Sequence, residues 1–599
     1  MIHKNLIFTT LLLFLLPVLA WGDGETIDLS LPENSEGVTI DNDGTYTFAG
    51  TYPSSATPGQ DINGTKKAVI NVAAGKEVTI ILDNVNIYLT KAYQCPLSAK
   101  DAKKVTVMLK GNNVLSTTHA SGQCPGLWAP QGDGNELVIQ NGETGSVLGL
   151  LEAQGAESWP GIGISQGTTG KITIESGSVT AYGGESGAGI GGSSGGNYKG
   201  VITINGGVIS AIGGIDDDRG GSAGIGGGYG GSGGTIIIND GIVNAKGGAT
   251  GAGIGGGSDG SGGSITINGG KVNAIGGVLG AGIGGGGGGA GKSIVINGGI
   301  VNATGGEFGA GIGGGSDCSG GTISIGAGTV TATGGDYGGA GIGDGDYGSG
   351  ATFSTGSNGN AFIVASSISD KSGKDSNWKG IIFEDNDGSI YGSPTLSTDA
   401  VIPEGKTLVI NTSQTLTINL GVTLVNIGTI SNSSGGTITN NGTILNTKLK
   451  EYVGPGKIEG TSPNNGVKEG FAVTCYLNYE DAPSEEIQYI ESGKKLSDPI
   501  FSPKGYAFDG WYTKATDGTP IMTISAPVDA YANWKSNMSS TEINAFPTIS
   551  NFTYSGKAIS ITAPDVMDKA NNSKITDAAL SYLIKDILGS YSETTAENS

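Results

Sequence analysis

Basic side chains are scarce in this sequence. Arg219 is the only arginine, and the histidines are two, His3 and His119. Once an N-terminal leader is removed, histidine acid–base catalysis would rest on His119 with no second imidazole to partner it. A single arginine also weakens any lyase that sets an arginine base beside a cation. Lysine and arginine total 32 against 54 acidic residues, a net charge of −22. Nucleic acid and anionic membranes need clustered Lys and Arg, so neither is expected as a partner. Long hydrophobic runs are missing too, apart from Ile7–Leu16 near the start. That run follows His3 and Lys4 and precedes the small residues Ala20 and Gly22, which predicts a secretory signal over residues 1–22. It is shorter than a membrane span, and nothing after it approaches one. The expectation is an exported protein, secreted or at a bacterial cell surface, with no membrane span after signal removal.

Glycine is what the chain has in excess, at 114 of 599 residues. No strict Gly-X-Y triplet runs through it, which excludes collagen. β-branched runs kept in phase between the glycines argue against a disordered linker. From about Gly161 to Gly345 one unit recurs. It opens Gly-Ala-Gly-Ile-Gly-Gly and enters a run such as Ile265-Thr266-Ile267. It then turns at Asn-Gly-Gly and makes a second run such as Lys271-Val272-Asn273-Ala274. The opening isoleucines are Ile162, Ile190, Ile225, Ile254, Ile283, Ile312 and Ile342, at spacings of 28, 35, 29, 29, 29 and 30 residues. A fixed period of this size marks a solenoid.

Three short strands per unit, joined at glycine corners, predict an all-β fold: a single-stranded right-handed parallel β-helix. A left-handed helix or a β-roll would take a shorter repeat. Alternation points Ile265 and Ile267 inward with Thr266 opposite, and pairs Val272 with Ala274. Asn205, Asn239, Asn268 and Asn297 recur at one corner, where stacked amides can form a ladder. Leu97 and Leu127 occupy the isoleucine place earlier in the chain, which extends the solenoid to about nine rungs.

The flanking segments complete the organisation. Residues 23–64 are strand-like and predict a cap over the first open edge. Residues 65–355 form the glycine-rich helix. Its early part, with Leu82-Asp83-Asn84-Val85-Asn86-Ile87, resembles the calcium-associated carbohydrate-binding β-helix domains of secreted bacterial proteins. Residues 356–460 carry a threonine-rich tract, Thr407-Leu408-Val409-Ile410 through Gly442-Thr443-Ile444, read as continued rungs with tighter corners. Residues 467–536 carry Gly505-Tyr506-Ala507-Phe508-Asp509-Gly510-Trp511-Tyr512 and, near their end, Ala532-Asn533-Trp534. This segment resembles the Listeria–Bacteroides repeat domain, which implies a small β-grasp-like spacer or contact unit toward other surface proteins, with Trp511 and Trp534 in its core. Residues 540–599, with Tyr554-Ser555-Gly556-Lys557, resemble the start of an immunoglobulin-like module and are short for one.

Four cysteines are present. Cys95 and Cys124 lie 29 residues apart, one repeat period, so they fall on adjacent rungs as either a disulfide or two stacked thiols. For ligands, two clusters stand out. Leu279, Phe308 and Tyr337 hold one corner column on successive rungs, with Trp128 and Trp159 on earlier rungs; a row of flat side chains can stack on a glycan. The competing reading makes them corner residues folding over the core. Calcium is the one cofactor the residues admit, though none is required. Asp216, Asp217 and Asp218 sit in the enlarged unit, and Asp259, Asp317 and Asp346 follow their isoleucines by 5, 5 and 4 residues. The bland alternative for all six is turn formation. The reading is a non-catalytic surface protein that binds polysaccharide or host and cell-surface glycans on a rigid scaffold. The alternatives are a polysaccharide lyase or glycoside hydrolase of β-helix type, and a purely structural stalk.

Overall fold

A computed structural model describes residues 26–536 apart from 54–59, 62–66, 119–122, 146, 217–219, 357–358, 375–376, 385–386, 448–451, 454–455, 460–466, 480–484 and 500–505. The expected signal (1–22) and the immunoglobulin-like segment (540–599) lie outside the described residues. Two compact units divide between Lys468 and Glu469.

The first unit is a parallel β-helix. Each rung contributes three strands, for example Ile254–Gly255, Ser264–Ile267 and Lys271–Ile275. Each strand pairs in parallel with its copy one coil away: Ile254 with Ile283, Ile265 with Ile294, Val272 with Val301. Alternation works as expected. Ile265, Ile267, Val272 and Ala274 are fully buried, while Thr266 and Asn273 face outward and are half-buried. A buried isoleucine contributes about 1.5–3 kcal/mol, so the interior stack is the main source of cohesion. The asparagine corner forms the ladder: Nδ2 of Asn239, Asn268 and Asn297 donates to Oδ1 of Asn205, Asn239 and Asn268 at 2.7, 2.8 and 2.9 Å.

Glycine in the Gly-Ile strand is a steric requirement. A Cβ on Gly284, whose φ is +139°, would fall inside the van der Waals envelope of the Gly313 carbonyl on the next rung. The same conflict recurs at Gly255 and Gly313.

Leu97 and Leu127 stand in register with Ile162, as expected. The column runs further back, through Ile70 to Val38, which makes eleven stacked strands instead of nine. Residues 23–64, expected as a cap, therefore carry coil of their own: Thr26–Asp28 pairs in parallel with Gly44–Thr51, and that strand with Glu77–Leu89. Low glycine content hid these rungs.

The threonine-rich tract forms a second, narrower coil. Its strands pair Thr407 with Thr429, Thr415 with Thr437 and Thr423 with Thr443, so the period falls from 29 residues to 22, 22 and 20. The chain enters it through a hairpin, Gly380–Glu384 antiparallel to Asp387–Tyr391. Ile363 and Ile382 face the first core. Phe362, Ile381, Phe383 and Ile390, on the opposite face of the same sheet, belong to the second core with Leu408 and Ile410. Strand direction and core side invert together, so the winding keeps its hand. The second coil builds outward from the wall of the first.

The second unit holds a small sheet. Gly470–Cys475 runs antiparallel to Glu486–Glu491, and Ala530–Ser536 pairs antiparallel with Tyr506–Tyr512. Val473, Cys475, Leu477, Trp511, Ile524, Ala530 and Ala532 form its core. Trp511 Nε1 donates to Ser497 O at 2.8 Å and Trp534 Nε1 to Leu477 O at 2.7 Å, so both indoles are internal struts.

Candidate functional site

Two glycine-rich turns flank each Gly-Ile strand, and their tips stack along one edge of the first coil. A lattice of backbone bonds fixes that edge. Phe308 N donates to Val278 O at 3.0 Å and Tyr337 N to Glu307 O at 3.0 Å, linking successive rungs. The two kinds of tip are tied together as well, by Ser316 N to Leu279 O and Asp346 N to Phe308 O, each 2.9 Å. Side chains on the tips are therefore held at rung spacing.

On three successive rungs the tip residue is Leu279, Phe308 and Tyr337. The Phe308 and Tyr337 rings stack with centroids 5.0 Å apart and planes 16° from parallel. Tyr337 is 63 % exposed, and Val278, beside Leu279, is 45 % exposed. Tyr347 is 88 % exposed and follows Asp346, whose amide holds the Phe308 carbonyl. Together these residues make a short aromatic and apolar edge over the last rungs of the array. Because the rings stack along the coil, Phe308 spends one face on Tyr337, and the far face of Tyr337 stays open.

The two tryptophans do not join this edge. Trp128 is buried, packed with Ala68, Cys95 and Cys124 in a separate small cluster. With the Gln131 amide oriented to satisfy both of its ends, its oxygen accepts from Trp128 Nε1 at 2.6 Å. Trp159 is half-buried and meets Trp128 edge-on at 4.9 Å. Trp128 is a core residue, buried in one cluster with the cystine and in edge contact with Trp159. Cys95 and Cys124 are joined as a disulfide across adjacent rungs, with Cα atoms 5.3 Å apart.

The aspartates have a backbone reason for their places. Asp259 and Asp317 have φ of +57° and +62°, and Tyr347 takes the same turn position at +55°. Gly195, Gly230 and Gly288 fill it on other rungs at +90°, +70° and +75°. This is a left-handed position on every rung, which Gly adopts freely and Asp tolerates. Asp346 therefore stands one residue before that column, and the expected shared column of three carboxylates does not form. Their oxygens are engaged locally: Asp317 Oδ2 accepts from Ser316 Oγ at 3.1 Å and Asp346 Oδ1 from Tyr347 N at 3.1 Å. Among the described residues, no group of three or more His, Cys, Asp or Glu lies close enough to hold a metal ion. Asp217 and Asp218 lie outside the described residues. Asp216 is described only by its backbone, which pairs with Gly220 in a small hairpin. Cys318, beside the edge, has its thiol pushed up by burial and then by the carboxylates of Asp317 and Asp259.

Tyr347 and Val278 escaped the sequence reading. The signal for Tyr347 was present: five residues after Ile342, it places an aromatic where other rungs carry Gly or Asp. Val278 had no signal beyond its neighbour Leu279.

A family model described as a beta helix repeat matches residues 172–196, 202–229, 236–258, 265–287, 294–316 and 323–346. No curated protein and no solved structure matches the chain. The matched segments coincide with the rungs from Ile172 to Asp346, and the first unit has the fold of a parallel β-helix.

Proposed function

We propose that the protein binds glycans without catalysis, through the aromatic edge of the first coil. The observation that carries this is the stacked Phe308–Tyr337 pair with Tyr337 and Tyr347 exposed beside it. A flat sugar face packs against an aromatic face as apolar surface, while its hydroxyls stay in water or meet the nearby carboxylates. The backbone lattice under the tips holds the turns in place before a ligand arrives, so little backbone freedom is lost on binding, which favours affinity. In this reading the protein is exported and acts as an adhesin or polysaccharide binder at a bacterial surface. The apolar run at Ile7–Leu16 and the Cys95–Cys124 disulfide support that location, because disulfides persist in oxidising compartments. Residues 467–536, in the same reading, are a Listeria–Bacteroides-type spacer or contact unit. The test is a glycan array with the parent chain and the Tyr337→Ala/Tyr347→Ala variant. Selective loss of glycan signals in the variant is expected; identical array profiles would discard the edge.

A further inference from the structure

On the outer wall of the first coil, the corner after the asparagine ladder carries an open cleft of about 570 Å³. Its floor exists because side chains are missing. At the position following the corner residue, successive rungs carry Ser176, Gly206, Asp240, Gly269, Gly298 and Ala327. The bare stretch lies between Ser176 and Ala327, with Asp240 as its one carboxylate. Ile242 and Ile300 line the cleft and are half-buried, and Lys271 stands between them on the intervening rung. Thr398, from the second coil, forms part of the lining. One rung past Ile300, Thr329 Oγ1 donates to the Asp399 carbonyl at 2.7 Å, which anchors the second coil against the wall.

We infer that this cleft is a second glycan site, shaped for a neutral, linear polysaccharide lying parallel to the coil axis. Three features point there. The cleft runs along the stack, so its groups repeat at the strand spacing of about 4.8 Å. The repeating groups are the ladder amides: Asn205, Asn239 and Asn268 each stand one residue before a residue of the lining, Gly206, Asp240 and Gly269. Each Asn spends one Nδ2 proton on the rung before, and an amide nitrogen carries two, so one N–H per rung is left over beside the cleft. Ile242 and Ile300 supply apolar surface for the C–H faces of a sugar.

An extended peptide fits less well, because strand addition needs free backbone groups. The corner amides are already used: Ile242 N donates to Gly207 O, Lys271 N to Gly241 O and Ile300 N to Gly270 O, at 2.8, 2.8 and 2.9 Å. The net charge of −22 disfavours a polyanion. This inference shares its ligand class with the aromatic-edge reading but uses different residues, so each can fail alone.

The experiment is affinity electrophoresis of the full chain through gels containing hydroxyethylcellulose, glucomannan or polygalacturonate. It is run in the Tyr337→Ala/Tyr347→Ala background, where retardation from the aromatic edge is removed. Expected is residual retardation by at least one neutral polymer, none by polygalacturonate, and a further loss of about tenfold in apparent affinity with Gly269→Gln. Should Gly269→Gln lower the melting temperature, Ile300→Thr, the residue the next rung carries, replaces it. No residual retardation in the tyrosine-free background overturns the cleft, as does residual retardation that Gly269→Gln and Ile300→Thr leave unchanged. Polygalacturonate binding as tight as the neutral polymers overturns the assigned class, and displacement of the polymer by an extended apolar peptide overturns it in favour of a polypeptide occupant. Retardation of the tyrosine variant equal to that of the parent instead counts against the aromatic edge alone.

Discussion

Phe308 and Tyr337, one rung apart, hold their rings 5.0 Å apart and 16° from parallel. That spacing is close to the distance between neighbouring strands, so the coil itself sets the ring stack. The pair should couple by about 0.5–1.5 kcal/mol, the range for aromatic contacts beyond area burial. A double-mutant cycle with Phe308→Leu and Tyr337→Leu, read by thermal unfolding, checks it. Strict additivity would mean that the rings merely lie side by side.

The asparagine ladder yields a second prediction. Asn268 both donates to Asn239 and accepts from Asn297, whereas Asn297, at the end of the ladder, only donates within it. Asn268→Ala should therefore cost about 1–3 kcal/mol, two net hydrogen bonds, and Asn297→Ala about half as much. Hydrogen exchange should show the loss concentrated on the rungs on either side, since solenoid rungs couple mainly to their neighbours.

Inside the coil, Ile283→Ala should cost about 2–5 kcal/mol as a cavity in a fully buried stack. Gly284→Ala, one residue on, adds a single methyl group and should be the worse of the two, because backbone and not side chain stands in its way. Melting temperatures of the two variants decide the order. The reverse order would show that the strand can slide outward.

The Cys95–Cys124 bond closes a loop across 29 residues. Opening it with Cys95→Ser/Cys124→Ser should lower stability by about 3.5 kcal/mol, on the chain-entropy view. Trp128 packs in the same cluster, so its fluorescence should report the change ahead of global unfolding.

In the second unit, burial and then Glu486 push the Cys475 thiol up to about 12, from an ordinary value near 9. A raised folded-state value means the contribution is complete below about pH 9 and is lost as pH climbs toward 12, because the unfolded thiol ionises first. Cys475→Ala should flatten the decline in that window. An unchanged alkaline limb would place the sensitivity elsewhere.

Much of this was legible in advance where glycine kept time. The isoleucine column, the inward faces and the Asn205–Asn297 ladder followed from period and alternation alone. Ile70 and Val38 were harder, because their rungs lack the Gly-Ile-Gly signature and share only an apolar residue at a varying distance. Trp128 was misplaced for a related reason: spacing puts it on a rung, but its ring packs against a cystine whose formation spacing alone left open. Asp259 and Asp317 show why spacing alone does not separate the two uses of an aspartate, metal ligand and left-handed turn former: what sets their places is φ, which residue spacing does not display. The change of core side leaves no mark in residue periodicity, since Ile381, Ile382 and Phe383 make both faces of the Gly380–Glu384 strand apolar.

That hairpin bears on how the molecule keeps to a finite length. A stack in which every coil copies the last contains no internal count, and its exposed end is a template for one more copy, supplied by this chain or by another. Turning the strand back and moving the core to the far face gives one of the three strand columns of the first stack a partner unlike itself. For that column the hairpin is a stop signal written in topology.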